Sequence, residues 1–145
     1  MESTSNRIGK LAENFIYDYL DNNSKNLYVC RFVDTYDANK GRWGDPSQKK
    51  VIIRRRPCDF MLVVNGHTYF CEVKATTNKQ GLTSSLFSQQ VAERTRILSA
   101  GGEYIYLIYS VENKQWYWIN SRKLDTSAKW GELSFFVIDF PPVPL

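Results

Sequence analysis

The sequence predicts an α/β fold: a mixed β-sheet with helices packed against it in a single domain, residues 1–145. Three observations carry that reading. Two stretches, residues 7–21 and about 84–99, repeat their apolar residues at helical spacing. Between them, Pro57 to Lys74 holds two apolar runs on either side of Asn65-Gly66, the dipeptide that supplies the positive φ angles of a two-residue type I′ hairpin turn. After the second helix, Glu103 to Val111 is an uninterrupted β-prone run, apolar on both faces as a central strand is. Helices and strands in the order α-β-β-β-α-β-β make a layered α/β sandwich.

In chain order, residues 1–6 are polar and lead into the first helix. Its apolar positions are Ile8, Leu11, Ala12, Phe15, Ile16 and Tyr19, and Asn22-Asn23-Ser24 ends it. Glu13 falls roughly 120° from the centre of that stripe, on a flank from which it can reach over the sheet edge. A solvated helix glutamate is the alternative. Residues 26–34 read as the first strand. Residues 35–55 show no period, contain Asn39, Gly41, Gly44, Asp45 and Pro46, and form a loop or a protruding hairpin. The Asn-Gly hairpin follows. The second helix starts at a Ser84 or Ser85 cap, carries Leu86, Phe87, Val91, Ile97 and Leu98, and stops at Gly101-Gly102. Gln90 and Arg94 lie inside that apolar stripe, so they either cover its end by snorkelling or face a cleft. Trp116 to Ile119 reads as the last sheet strand and residues 121–131 as loop. Leu133 to Phe140 is a further β-like run, and Pro141, Pro142 and Pro144 finish the chain without regular structure.

A chain of 145 residues is long enough to bury a real core, and 43% hydrophobic with 23% charged residues is ordinary for a soluble globular protein. Nineteen Lys and Arg against fifteen Asp and Glu leave +4, which favours a polyanionic partner. Three cysteines, Cys30, Cys58 and Cys71, form no CxxC pair, and there is one histidine. That composition argues against a structural zinc site and for reduced, buried thiols. No run approaches the length of a membrane span and no signal peptide is visible, so the expectation is a cytoplasmic protein with no membrane partner. If the gene is carried by a phage or virus, the place is the host cytoplasm.

The hairpin register carries the chemistry. With Asn65-Gly66 as the turn, Val64 faces His67, Leu62 faces Tyr69, Met61 faces Phe70 and Asp59 faces Glu72. Opposed residues project to one side of the sheet, and Lys74, two beyond Glu72, joins them. Two facing carboxylates repel unless a cation lies between them, a role Lys74 could fill. They also suit Mg²⁺, which needs only one or two protein carboxylates. A surface ion cluster at the hairpin mouth is the plain alternative. Upstream, Lys40, Arg42, Lys49, Lys50, Arg54, Arg55 and Arg56 stand against one acid, Asp45, with Trp43 among them. Basic side chains neutralise phosphates and an aromatic can stack on an exposed base. A solvated charged face is the alternative there.

Asp59, twelve residues, then Glu72-Val73-Lys74, with Pro57 as a displaced proline, resembles the PD-(D/E)xK nuclease motif. Its spacing and flanking text are similar to Holliday-junction resolvases of the RecU and archaeal types, from about Asn6 to Tyr109 with a poorly matched gap at 35–55. Asn6-Arg7 and Leu11-Ala12-Glu13 resemble the opening of RecU proteins, and Ser88-Gln89-Gln90 resembles their active-site glutamine. Gln89 stands where that pattern has histidine. The resemblance implies a restriction-endonuclease-like core and a Mg²⁺-dependent endonuclease, with Mn²⁺ as the alternative ion. Asp59, Glu72, the Val73 carbonyl and Glu13 would hold metal. Lys74 and Gln90 would serve catalysis, and Arg7 joins the residues that face DNA. It further implies a homodimer making paired cuts in branched DNA. Two other readings stay open: a restriction, repair or defence nuclease on another DNA substrate, and a non-catalytic DNA-binding module on the same fold.

Overall fold

Helix α1 (Thr4–Asn22) opens the computed structural model, which describes residues 4–32, 56–77, 91–123 and 136–145. Five strands and a second helix follow in the expected order: β1 (Leu27–Arg31), β2 (Phe60–Val64), β3 (His67–Thr76), α2 (Val91–Ser99), β4 (Glu103–Ser110) and β5 (Gln115–Asn120). A sixth strand, β6 (Phe136–Ile138), comes last. The six strands form one sheet in the order β1-β2-β3-β4-β5-β6. All neighbours are antiparallel except β3 and β4, which run parallel. A parallel pair cannot be closed by a tight turn, and here the crossover between its strands includes α2.

The hairpin has the register read from the sequence: Met61 opposite Phe70, Leu62 opposite Tyr69, Val64 opposite His67. Asn65 and Gly66 take φ of 52° and 79°, the left-handed pair that a type I′ turn requires. The sheet's pleat then splits the core in two. Odd-numbered Cys71 and Val73 of β3 and Ile105, Leu107 and Tyr109 of β4 meet Ala12, Ile16 and Leu20 of α1. Even-numbered Tyr104, Tyr106 and Ile108 face the other way, against Ile97 and Leu98 of α2. β4 is buried from Tyr104 to Ser110, as its two-sided apolar run demands.

Two sequence expectations change. The buried face of α1 is centred on Ala12, Ile16 and Leu20, while Leu11 is 39% exposed. At 100° per residue this turns the face by roughly 70° toward Glu13, which lies at its rim, about 60° from its centre, and is buried there. And β5 is not the last strand: β6, from the Leu133–Phe140 run, pairs on its outer side. β5 is therefore paired on both edges, with β4 on one side and β6 on the other. The proline-rich end has no regular structure but packs, with Trp116 Nε1 donating to the Pro141 carbonyl (3.1 Å) and Val143 buried. All three cysteines are free thiols, Cys58 and Cys71 buried. Among the described residues, no helix is long and apolar enough to cross a membrane.

Candidate active site

Asp59 sits one residue before β2, where the hairpin ladder ends at Phe60 opposite Cys71. Its backbone is fixed on both sides: the amide donates to the Cys71 carbonyl (3.1 Å), and the Phe32 amide donates to the Asp59 carbonyl (3.0 Å). The side chain is fixed too, because the Val73 amide donates to Asp59 Oδ2 at 2.7 Å. Cys71 and Val73 therefore turn their backbone groups toward the β2 edge. A strand residue's N–H and C=O leave on the same edge, so the Val73 carbonyl also lies on the Asp59 side. Glu72, between them, faces Asp59 as the register requires.

Glu13 completes the group from above. The turned face of α1 buries it, and Asp59, Glu72 and Glu13 are 3%, 4% and 7% exposed. Asp59 is close enough to feel the charge of Glu72, and Glu13 feels that of Asp59. Three carboxyl groups from a helix, a strand entry and a strand thus meet at the open end of the hairpin.

The cation beside these acids is not the expected one. Arg56 places Nη2 3.1 Å from Asp59 Oδ1 and Nη1 3.6 Å from Glu13 Oε1. Arg31, at the end of β1, brings Nη2 to 3.3 Å from the same Glu13 oxygen and donates to Asn14 Oδ1 at 2.6 Å. Even so, Glu13 Oε1 is buried with no hydrogen bond from either guanidinium. Lys74 projects from β3 on the side of Glu72, and among the described residues it makes no ion pair with an acid. Arg56 screens Asp59 against Glu13, a different pair from the Asp59 and Glu72 that the sequence offered to Lys74.

Burial sets the protonation of the group. Loss of water pushes the Asp59 carboxyl up to about 7, the Glu72 hydrogen bond and charge add to this, and the Val73 amide and Arg56 oppose it. Glu13 is raised by burial first and by the charge of Asp59 second. Burial and the Glu72 charge also raise the Tyr104 hydroxyl and the Cys58 thiol, keeping both protonated.

Sequence reading missed three residues here. The Tyr104 hydroxyl reaches the Pro57 carbonyl (3.1 Å) and Glu72 Oε2 (3.4 Å), bridging the two acid-bearing segments. Tyr106 stands beside Glu72 in the parallel ladder, and Arg94 of α2 donates to its hydroxyl at 2.6 Å. Arg94 therefore caps the sheet face beside Glu72, which settles its place within an apolar stripe. Arg31 carried a signal of its own, a lone charge inside an aromatic and aliphatic strand. Arg7 is exposed on α1. Gln90, Lys40, Arg42, Trp43, Lys49, Lys50, Arg54 and Arg55, with the expected basic loop, lie outside the described residues.

Among the described residues, no three His, Cys, Asp or Glu side chains are arranged as a ready-made metal-ligand cluster. Mg²⁺ asks for less. One or two carboxylates suffice, since it keeps several waters. The facing Asp59 and Glu72, the backbone edge at Val73 and the unbonded oxygen of Glu13 fit such an ion. The donors are all oxygens, which suits a hard cation and not zinc.

No protein-family model matches the chain, and no curated protein matches it. Among solved structures, the chain overlays on the 1.6 Å structure of Hjc from Archaeoglobus fulgidus, a Holliday junction resolvase from an archaeal hyperthermophile. The overlay has a TM-score of 0.47 and 17% sequence identity, and it covers 87% of this chain and 86% of that chain. What the site can do is decided by its own side chains.

Proposed function

We propose that this protein is a metal-dependent DNA endonuclease of the PD-(D/E)xK type, resolving four-way junctions by paired phosphodiester cuts as a homodimer. The observation that supports it is the meeting of Glu13, Asp59 and Glu72, with the Val73 edge on one side and Lys74 on the face of Glu72. Asp59, Glu72 and the Val73 carbonyl would hold Mg²⁺ or Mn²⁺, with Glu13 on the ion or its water. Such an ion acidifies water and offsets charge on the phosphate under attack. Asp59 is held for this task by the Val73 amide, and Glu72 by the Tyr104 hydroxyl. Lys74 orients the attacking water and stabilises charge that builds on the phosphate. Gln90 supports water or phosphate, and Arg7 with the basic residues from Lys40 to Arg56 tracks the DNA backbone.

Cleavage of labelled four-way junctions tests the reading. Asp59→Asn and Lys74→Ala should each abolish Mg²⁺-dependent cutting while gel-shift binding of the junction persists. Retained cutting by either variant rules the assignment out. Flaps, plain duplex and single strands as parallel substrates separate a resolvase from a restriction, repair or defence nuclease.

One observation favours the second reading, a DNA-binding module without catalysis: Arg56 already lies on the acids. That reading predicts junction binding with no cutting, the same in Mg²⁺ and in EDTA.

A further inference from the structure

Arg56 has two competing claims on it. It closes the basic run that reads as a phosphate track, yet its guanidinium lies 3.1 Å from Asp59 and 3.6 Å from Glu13. It cannot neutralise both partners at once. We propose that Arg56 sets the metal affinity of the site: it occupies the place of a divalent cation beside Asp59, and ion binding releases it toward the DNA backbone. The inference rests on the nuclease reading and adds a role for Arg56 that couples metal binding to DNA binding.

The geometry brings the two cations together. Mg²⁺ lies about 2.0–2.1 Å from a coordinating oxygen, so an ion on Asp59 Oδ1 falls within about 5 Å of the guanidinium nitrogen that touches the same atom. The charge count agrees. Fully ionised, Glu13, Asp59 and Glu72 bring three negative charges, and Arg31, Arg56 and Lys74 on the face of Glu72 bring three positive ones, leaving zero. A dication added to that set leaves +2, and release of Arg56 lowers the excess to +1. Arg31 pairs with Glu13, whereas Arg56 lies on Asp59 Oδ1 itself, so the guanidinium that meets an ion on Asp59 is Arg56.

The competition has a definite sign. Arg56→Gln should bind Mn²⁺ several-fold tighter than wild type in isothermal titration calorimetry of the full chain without DNA. Reciprocity then governs the second measurement. Ca²⁺ should strengthen wild-type binding of a four-way junction, read by fluorescence anisotropy, by roughly five-fold or more. In Arg56→Gln that gain should vanish, and Arg56→Lys should restore part of it. In wild type itself, the Arg56 side-chain N–H resonance, held apart by its ion pairs, should merge with those of solvated arginines as Mg²⁺ is added. Equal or weaker Mn²⁺ binding by Arg56→Gln overturns the proposal and leaves the nuclease reading standing, as does an Arg56 resonance unmoved at saturating Mg²⁺. Absence of Mn²⁺ binding by both proteins overturns the nuclease reading and the proposal with it.

Discussion

Both carboxylate oxygens of Asp59 are engaged, and these constraints explain which residues matter around it. One oxygen takes the Val73 amide and the other takes Arg56, while Glu13 and Glu72 press on either side. Tyr104 holds the frame in which this happens. Tyr104→Phe keeps the ring among Cys58, Tyr106 and Ile108 but leaves the Pro57 carbonyl without the hydroxyl. Urea unfolding should show a loss of about 1–2 kcal/mol, the cost of an unmade buried hydrogen bond. A loss under about 0.3 kcal/mol would mean that water replaces the hydroxyl without penalty. The pairing of Asp59 with Glu72 was legible in the sequence because Asn65-Gly66 fixes the hairpin register from within. Tyr104 was not legible, because its approach to Glu72 depends on the register of β3 against β4. Parallel strands share no turn that would set it.

At the scale of elements, the helix that brings Glu13 was visible but its rotation was not. Ile8, Leu11, Phe15 and Tyr19 offer one apolar stripe, and Ala12, Ile16 and Leu20 offer another that overlaps it. Hydrophobicity alone cannot choose between them. The sheet chooses, because Phe60, Leu62, Val73 and Leu107 form one buried cluster with Ala12, Ile16 and Leu20, and that rotation draws Glu13 in with it. Two truncations measure the choice. Leu20→Ala should cost about 2–5 kcal/mol, the range for emptying a buried leucine site, while Leu11→Ala should stay within about 0.5 kcal/mol. Equal costs at the two positions would return the helix to the rotation read from periodicity. The last strand was misread for a related reason. Whether Trp116 to Ile119 forms an edge or an interior strand is decided by β6, and the β-like pattern of residues 133–140 does not say which strand it pairs with.

The whole molecule registers its acid cluster as a dependence of stability on pH. The Asp59 carboxyl has an ordinary value of 3.8 and a folded value of about 7. Between those two pH values the folded chain holds a proton that the unfolded chain has released. Stability rises with pH only where the unfolded state binds more protons, so here the sign is reversed. This contribution is therefore largest below about pH 4, falls as pH climbs toward about 7, and levels off above. Glu13, raised in the same direction, adds to the fall. In chelator, the melting temperature should accordingly drop between pH 5 and pH 8, and Asp59→Asn, which resembles the protonated acid, should flatten that drop. A divalent ion favours the ionised carboxylates, so Mg²⁺ should raise the melting temperature more at pH 8 than at pH 5. Scanning calorimetry at both pH values, with chelator and with Mg²⁺, reads all of these. A melting temperature in chelator that climbs steadily to pH 8 would mean that the folded protein holds Asp59 ionised throughout, stabilised by Arg56 and the Val73 amide more than burial opposes it.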